Sequence, residues 1–479
     1  MTLWTSADAA AATGGQITRD WVAHGVSIDT RTIRPGDLFV ALKDIRDGHD
    51  FVAQALEKGA AAALVSYRPE GVADDAPLLI VPDVLDALTA LGAAGRARTG
   101  ARVAAITGSV GKTSSKEMLR AVLAPQGKCH AAEASYNNHW GVPLTLARMP
   151  ADTDYAIIEI GMSNPGEIGP LSRLTRPHVA MITTIAAAHL AAFDSLDGIA
   201  HEKGAIFAGL ESGGIAVVNA DIGTSGILRD HAAQAGAQQI LFGETATDWQ
   251  VRNIRLCSDV TVIAAQHDGQ DYLLKLSVPG RHFAMNAVGV LAVAAALGAD
   301  PVAASLDIAN WVPPSGRGTR EIIAMDRANE AEVLDLIDDA FNANPTSLAA
   351  SLEVIAAAKP TDNLGRIVKG RRVAILGDML ELGPEQDQMH RDMAQNTHLQ
   401  KLDLIHCVGP SMQHLWQALP EGQRGQWAET APELAAKVSR LVDAGDVVLV
   451  KGSKGSKVSL VVDAIRKLGH RRPQEEQGN

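Results

Sequence analysis

Cysteine is scarce in this chain of 479 residues, which contains only three. Cys129, Cys257 and Cys407 lie far apart and form no C-x-x-C pair, which argues against both a disulfide framework and a zinc site.

Long apolar runs are also lacking. None approaches the roughly 20 residues that span a bilayer, and residues 1–15 lack the basic segment of an export signal. We therefore expect a cytoplasmic protein that does not act in a membrane.

Basic residues are also fewer than acidic ones. The chain has 43 Lys and Arg against 55 Asp and Glu, a formal net charge of -12. Because nucleic-acid backbones are held mainly by an excess of Lys and Arg, this balance argues against a nucleic-acid partner. Any anionic ligand must therefore be bound by a local group of residues.

Strand and helix patterns divide the chain into three parts. The length exceeds what one hydrophobic core supports, and short apolar runs alternate with helical patterns, which predicts an α/β fold. We expect a small N-terminal α/β domain over residues 1–99. A central domain over 100–313 should contain a mostly parallel sheet with helices on both faces. A Rossmann-like open sheet should follow over 314–479, after a break rich in proline and glycine at 311–318.

Two shorter segments also carry predictions. Residues 245–280 contain β-type runs and are expected to form an antiparallel flap. Residues 432–444 have the pattern of a helix that lies between two strands of the third domain.

The strongest local signal is a buried strand that runs into a glycine-containing turn and then a helix. In this turn Gly108 and Gly111 would let backbone N–H groups approach phosphate oxygens, and Lys112 would add a charge at the helix start. Thr113 is placed to ligate Mg²⁺. Ile106 stands where the strict phosphate-loop pattern has Gly, so the loop is a variant, and a tight turn with an exposed lysine is the alternative. The residues predicted to bind ATP here are Thr107, Gly108, Ser109, Val110, Gly111, Lys112, Thr113 and Ser114.

Three further polar residues follow buried segments of the central domain. Glu159 ends an apolar strand, so its carboxylate should emerge at the carboxyl edge of the sheet, where Mg²⁺ could be held; a solvated edge residue is the alternative. His189 lies in a loop after the next strand and is by itself more often a satisfied polar residue than a ligand. Lys203 lies on a helix, where a surface lysine is the ordinary interpretation.

These residues belong to motifs that resemble one family along nearly the whole chain. The sequence is similar to the Mur ligases and, more distantly, to folylpolyglutamate synthases. Beyond the loop, the matching motifs include Tyr136-Asn-Asn-His-Trp-Gly-Val-Pro143, Glu159-Ile-Gly-Met-Ser-Asn-Pro-Gly-Glu-Ile168, Glu202-Lys203-Gly204, Gly280-Arg-His282, Asn286, Gly316-Arg317, Asp338-Asp-Ala-Phe-Asn-Ala-Asn-Pro345, Leu376-Gly-Asp-Met-Leu-Glu-Leu-Gly383 and Lys451-Gly-Ser453.

The resemblance implies a role for each of several residues. It implies catalytic roles for Lys112, Lys203, His189 and Arg317. It places Asn286 against adenine, Arg317 on the γ-phosphate and Asp339 on the ribose of ATP. It also assigns Thr113, Glu159 and His189 to two Mg²⁺ ions, and implies that Lys203 is carbamylated, which requires a neutral amine.

The resemblance also implies sites for two further substrates. A UDP-sugar and its peptide arm would contact Ser27, Thr30, Arg31, Asp47, His49, Asn137 and Asn138. Asn342 and Asn344 would bind an incoming dipeptide, although Asn344 before Pro345 is equally a helix N-cap. The chain departs from the family at Thr30, where Ser is usual, and at Ala340-Phe341, where Ser-Tyr is usual.

Among family members, the motifs are most similar to those that add D-alanyl-D-alanine to UDP-N-acetylmuramoyl-tripeptide in peptidoglycan synthesis. The expected activity is an ATP-dependent, ADP-forming carbon–nitrogen ligation by a monomer acting on small molecules. Alternatives are ligation of another amino acid, a folylpolyglutamate synthase-like reaction, or a phosphate-loop module that only binds and hydrolyses ATP.

Overall fold

Three large sheets with helices around them, and one two-stranded ribbon, form the described part of the chain, which confirms the predicted α/β class. The structure, a computed structural model, describes residues 2–187, 190–326 and 329–471. Each sheet takes its strands from one of the three predicted ranges, while the domain limits themselves stay a prediction. In this part of the chain, no helix is both long and apolar enough to cross a bilayer.

The N-terminal sheet has five strands in the order β2-β7-β6-β5-β4, and β1 pairs with β3 in a separate ribbon. All pairs in the five-stranded sheet are parallel except that of β2 with β7. Alternate apolar side chains of β5 and β6 enter two different cores, one on each face of the sheet. The elements are β1 (Trp4–Thr5), α1 (Ser6–Thr13), β2 (Gln16–Ile17), β3 (Val22–Ala23), β4 (Gly25–Ser27), β5 (Asp37–Val40), α2 (Val52–Glu57), β6 (Ala62–Val65), β7 (Leu78–Ile80) and α3 (Val84–Ala97).

The central sheet has nine strands in the order β16-β15-β14-β13-β12-β11-β8-β10-β9. The seven strands from β14 to β9 in this order are mutually parallel, and β15 and β16 extend the sheet beyond β14 in antiparallel pairing. The elements are β8 (Arg102–Thr107), α4 (Lys112–Leu123), β9 (Cys129–Ala131), α5 (Gly141–Ala147), β10 (Tyr155–Glu159), α6 (Ile168–Thr175), β11 (Val179–Ile182), α7 (Leu196–Gly204), β12 (Ile215–Asn219), α8 (Ser225–Gln234), β13 (Gln238–Gly243), β14 (Trp249–Leu256), β15 (Thr261–His267), β16 (Gln270–Leu276), α9 (Arg281–Ala296) and α10 (Pro301–Asp307).

The expected flap at 245–280 is antiparallel, but it continues the central sheet instead of standing beside it. Its first strand pairs in parallel with β13, with Phe242 opposite Trp249. Both side chains are fully buried in the core beneath α9. Burial of these two rings fixes the strand to the sheet.

The third sheet has the order β21-β20-β19-β22-β18-β17-β23. Its five strands from β21 to β18 are parallel, and β17 and β23 are antiparallel additions. The elements are β17 (Thr319–Ala324), β18 (Val333–Asp339), α11 (Pro345–Ala357), β19 (Arg372–Gly377), α12 (Gln386–Asp392), β20 (Leu404–Val408), α13 (Met412–Ala418), β21 (Arg424–Ala428), α14 (Ala431–Ala435), β22 (Val447–Lys451), α15 (Ser459–Arg466) and β23 (His470–Arg471).

The helix predicted over 432–444 is wrong in length. Only α14 and a 3₁₀ turn at Val438–Arg440 are helical, and a loop follows. The buried carboxylate of Asp446 accepts hydrogen bonds from the backbone of Asp443 and of Arg371. A side chain that binds backbone N–H groups in this way competes with the helix, which ends earlier as a result.

Helix α3 ties the N-terminal unit to the central one through a very close approach to α5. A Cβ added at Gly95 would overlap the backbone carbonyl oxygen of Leu146. Trp4 Nε1 also donates to the carbonyl of Ala147 at 2.8 Å. The two units are therefore packed backbone against backbone at this point.

The close approach predicts a strict requirement for glycine at position 95. Gly95→Ala should lower the free energy of unfolding by about 1–3 kcal/mol, because overpacking outweighs the better helix propensity of alanine. Thermal unfolding followed by circular dichroism measures the change. Gly100→Ala is the matched control, since an added Cβ there meets nothing within 4 Å. Equal unfolding midpoints for the two variants would contradict the prediction.

Candidate functional site

A cleft of about 450 Å³ lies between the central and third sheets. Polar residues at the carboxyl ends of neighbouring parallel strands border it, as expected for open α/β sheets. The structure brings most of the predicted site residues together here. Those that line the cleft are Ser109, Val110, Gly111, Lys112, Thr113, Ser114, Asn137, Asn138, Glu159, Asn286, Arg317, Asp339, Asn342 and Asn344.

Two glycines allow the predicted phosphate loop to lie against its neighbours. Gly108 has φ +152°, and an added Cβ would overlap the hydroxyl of Thr183. Gly111 has φ +85°, and an added Cβ would lie 2.6 Å from Asn286 Nδ2. Thr183 Oγ1 donates to the carbonyl of Val110 at 2.5 Å. The loop therefore has a defined shape, with its N–H groups at the start of α4.

Lys112 folds back over this loop. Its ammonium donates to the carbonyl of Gly108 at 2.7 Å, and the side chain is half-buried, unlike the exposed lysine of the alternative interpretation. Burial lowers the pKa of Lys112, the carboxylate of Glu159 acts to raise it, and the cation of Arg317 acts to lower it. The amine therefore lies in a place where a bound anion would stabilise its charged form.

Glu159 and Thr113 form the part of the cleft that fits a divalent cation. Thr113 Oγ1 donates to Glu159 Oε1 at 3.1 Å, and Asn137 Nδ2 donates to the same oxygen at 2.7 Å. Glu159 is 2% exposed, and among the described residues its other oxygen, Oε2, has no hydrogen-bond partner. A buried, unpartnered carboxylate oxygen beside a hydroxyl is the ligand chemistry that Mg²⁺ prefers.

Arg317 reaches this group from the linker between the two sheets. Its Nη2 donates to Ser135 Oγ at 3.2 Å, and that hydroxyl lies 3.2 Å from Thr113 Oγ1. The guanidinium carbon lies 4.0 Å from the ring centroid of Phe341. Burial lowers the pKa of Arg317, although arginine stays charged throughout the physiological range.

Asp339 and Asn286 lie farther along the cleft. Asp339 Oδ2 accepts from Lys451 Nζ at 2.7 Å and from Ser351 Oγ at 2.5 Å. Asp339 also lines the cleft, so its carboxylate faces the space that a ligand would occupy. Asn286 is buried on α9, with its amide against Gly111.

Lys203 is buried near Lys112 but outside the lining of the cleft. It is 1% exposed, and burial together with the positive charge of Lys112 holds the pKa of its amine well below the usual range. This shift is in the direction of the neutral amine that carbamylation requires. Thr107 and Gly108 also lie behind the lining, and His189 lies outside the described residues.

The two asparagines expected to contact a dipeptide differ in their surroundings. Asn344 caps α11 in a reciprocal capping box with Ser347, so the helix N-cap interpretation holds for it. Asn342 is exposed, and its side chain accepts from the backbone of Ala343. Both still line the cleft.

Five of the seven residues predicted to bind the UDP-sugar and its peptide arm lie in the N-terminal unit. Thr30 Oγ1 donates to Gln54, Arg31 pairs with Asp29 at 2.6 Å, and Asp47 caps the 3₁₀ turn that contains His49. Among the residues that the structure describes, those that line the cleft include none of Ser27, Thr30, Arg31, Asp47 and His49. Only Asn137 and Asn138, of the seven, reach it.

Sequence reasoning missed several residues that shape the cleft. Thr183 follows the buried strand β11 and Asn219 ends the buried strand β12, so the rule that identified Glu159 could have found them. Lys116 gave a weaker signal, four residues after Lys112. It is fully buried, and its ammonium donates to the carbonyls of Ala132 and Ala134, which hold the segment before Ser135. Ser135 also lines the cleft and was missed, whereas His282 and Lys451 belong to motifs that were named from the sequence without a role for either residue.

Three sequence profiles match successive parts of the chain. The profile for the Mur ligase family, catalytic domain, matches residues 22–96, that for the Mur ligase middle domain matches 106–294, and that for the Mur ligase, glutamate ligase domain, matches 325–454.

Whole-chain comparisons agree with these profiles. The UDP-N-acetylmuramoyl-tripeptide--D-alanyl-D-alanine ligase of Escherichia coli K12 is 36% identical, covering 95% of this chain and 96% of the relative. A crystal structure of MurF from Acinetobacter baumannii superposes with a TM-score of 0.80 at 28% identity, covering 97% of this chain and 99% of the other. MurF ligase from Thermotoga maritima in complex with ADP has a TM-score of 0.76 at 24% identity, over 93% and 97%, and this shows a shared fold.

The unpartnered oxygen of Glu159 predicts a metal-dependent loss of nucleotide affinity. Glu159→Gln should weaken binding of MgATP by about tenfold or more, because the amide is a poor Mg²⁺ ligand, and should leave metal-free ATP binding almost unchanged. Calorimetric titration with and without Mg²⁺ measures both. Glu167→Gln is the control, since the oxygens of that cleft carboxylate accept from Ser163 and Asn164. Equal losses with and without the metal would contradict the assignment.

Proposed function

Since this chain belongs to the Mur ligase family, we propose that it joins D-alanyl-D-alanine to UDP-N-acetylmuramoyl-tripeptide. The reaction consumes ATP, forms ADP and phosphate, and supplies a precursor of peptidoglycan. The observation that carries the proposal is the composition of the cleft. A phosphate loop, a buried carboxylate with a free oxygen and an arginine from the linker all open into it.

The proposed reaction has two steps. The terminal carboxylate of the tripeptide attacks the γ-phosphorus of ATP, and an acyl phosphate and ADP form. The amine of D-alanyl-D-alanine then attacks the acyl carbon, phosphate leaves, and the amine nitrogen loses a proton. The sum is one new amide bond for one phosphoanhydride bond cleaved.

Lys112 and Arg317 act on the phosphoryl group in this proposal. Both are cations that burial leaves poorly solvated, so they interact strongly with negative charge that moves from the carboxylate to the leaving ADP. Arg317 lies in the linker, so its position in the cleft depends on how the third sheet is oriented relative to the central sheet. Mg²⁺, held by Thr113 and Glu159, would neutralise phosphate charge when bound.

The other sites extend this assignment. Asn286 and Asp339 would contact the adenine and ribose. Asn137 and Asn138 would hold the peptide arm, which must run toward the N-terminal group of Ser27, Thr30, Arg31, Asp47 and His49 that binds the UDP-sugar. Asn342, and the backbone around Asn344, would receive the dipeptide. The protein would act as a cytoplasmic monomer on these small molecules.

A second Mg²⁺ ion and a carbamate complete the proposal. Glu159 and His189 would hold that ion. The lowered pKa of Lys203 supports carbamylation, because a neutral amine attacks CO₂ and an ammonium does not. The carbamate would then place a negative charge close to Lys112.

Ligation is distinguished from its alternatives by the products. The protein is incubated with ATP, UDP-N-acetylmuramoyl-tripeptide and a panel of D-dipeptides and amino acids, with tetrahydrofolate and glutamate as a separate pair, and products are weighed by mass spectrometry. We expect ligated product with D-alanyl-D-alanine and little phosphate release until both co-substrates are present. Rapid ATP hydrolysis without an acceptor would support a module that only hydrolyses ATP.

Removal of the Lys112 amine should abolish ligation and spare the fold. Lys112→Ala is expected to lower kcat by at least about 100-fold, since a charge stabilised mainly in the transition state is lost. Coupled ADP release measures kcat, and circular dichroism checks the fold. Lys128→Ala is the control, because that exposed lysine pairs with Asp152 on the surface. Substantial ADP release that still depends on both substrates would contradict the role.

Carbamylation of Lys203 should be visible directly. Protein equilibrated with ¹³C-bicarbonate at neutral pH should show a carbamate carbon signal that Lys203→Gln removes. Lys116→Met should retain it, because Lys116 is equally buried but its ammonium pairs with Glu117 at 3.0 Å. Acidification should release the label, since pH below the pKa of Lys203 protonates the amine. A signal that persists in Lys203→Gln would contradict the assignment.

A further inference from the structure

The linker that carries Arg317 also positions an aromatic ring beneath it. Phe341 follows β18, and its backbone N–H donates to the carbonyl of Gly316 at 3.0 Å, while Gly318 N donates to the carbonyl of Asp338 at 2.9 Å. These two bonds fix the segment on both sides of Arg317 against the end of β18. The guanidinium carbon then lies 4.0 Å from the centroid of the Phe341 ring.

Gly316 makes this approach possible. It has φ +74°, and an added Cβ would come within 3.2 Å of Phe341 Cβ. A larger residue at 316 would push the ring away from the linker. The backbone is thus shaped to hold the ring and the guanidinium together.

Phe341 contributes little to the packing of the fold. The residue is 37% exposed, and it belongs to none of the buried apolar clusters among the described residues. The neighbouring Ala340 does lie in the core of the third sheet. A large aromatic side chain kept at the wall of a polar cleft, against a cation, therefore calls for an explanation other than core packing.

We infer that Phe341 is a positioning residue for the proposed ligation, whose ring holds the guanidinium of Arg317 in place by a cation–π contact. Arginine has many rotamers, and a side chain ordered only at the moment of reaction would add an entropic cost to the barrier. The ring orders it in advance from one face, while Ser135 accepts its hydrogen bond at 3.2 Å. The hydroxyl of a tyrosine is not needed for this contact, so phenylalanine suffices.

The inference rests on the proposed function and is tested by steady-state ligation kinetics of three variants. Phe341→Leu keeps an apolar side chain without a π-face, and its kcat should fall by about tenfold, the size of a partly desolvated cation–π contact. The KM for ATP should change by less than about threefold, because the loss falls on the transition state. Phe341→Tyr keeps an aromatic ring at this position, so its kcat should stay close to that of the native chain.

Trp416→Leu is the matched control. It removes a ring that lies under Arg424 at 4.9 Å, away from the cleft, and it should leave kcat unchanged even if the unfolding temperature falls. Thermal unfolding of all variants separates folding effects from kinetic ones. A purely structural role for Phe341 would lower the unfolding temperature of Phe341→Leu without the selective loss in kcat.

Two failures are distinguishable. A native chain that forms no ligated product contradicts the proposed function. An active native chain whose Phe341→Leu variant keeps kcat within about twofold, or whose Phe341→Tyr variant is as impaired as Phe341→Leu, contradicts the role of Phe341 alone.

Discussion

The hydrogen bond from Thr113 Oγ1 to Glu159 Oε1 holds the first turn of α4 against the end of β10. Because β10 is the neighbour of β8 in register, with Glu159 opposite Ile106, this bond closes the loop between β8 and α4 over the sheet edge. It also occupies one carboxylate oxygen, and the other has no hydrogen-bond partner among the residues that the structure describes. The loop, its lysine and the carboxylate thus open on one side of the sheet.

Three basic side chains lie in or near the cleft, whose lining also includes the carboxyl groups of Glu159, Glu167 and Asp339. Lys112, Arg317 and Lys203 are all buried to some degree, and burial depresses the pKa of each. Bringing such groups together costs free energy unless an anion lies among them. An anionic ligand would offset that cost, although the protein as a whole has a net charge of -12.

Two sheets contribute to one site because the linker is fixed at both ends. The segment from Gly316 to Gly318 is bonded to the end of β18, while its arginine reaches Ser135 on the central unit. The N-terminal unit is attached differently, through the backbone contact of α3 with α5. The group assigned to the UDP-sugar lies on that unit, so the position of α5 governs its distance from the phosphate loop.

The sequence by itself determined the α/β class, the phosphate loop and the family. These depend on local patterns, since Gly108, Gly111 and Lys112 are adjacent in the chain and strand ends are marked by apolar runs. Only the tertiary structure decided which residues of other elements face these local motifs. The continuation of β14 from the central sheet, the early end of α14, the burial of Lys203 and Lys116, and the stacking of Arg317 on Phe341 all depend on residues distant in sequence. No local pattern records which surfaces a side chain will meet, because burial and charge pairing are set by packing between elements.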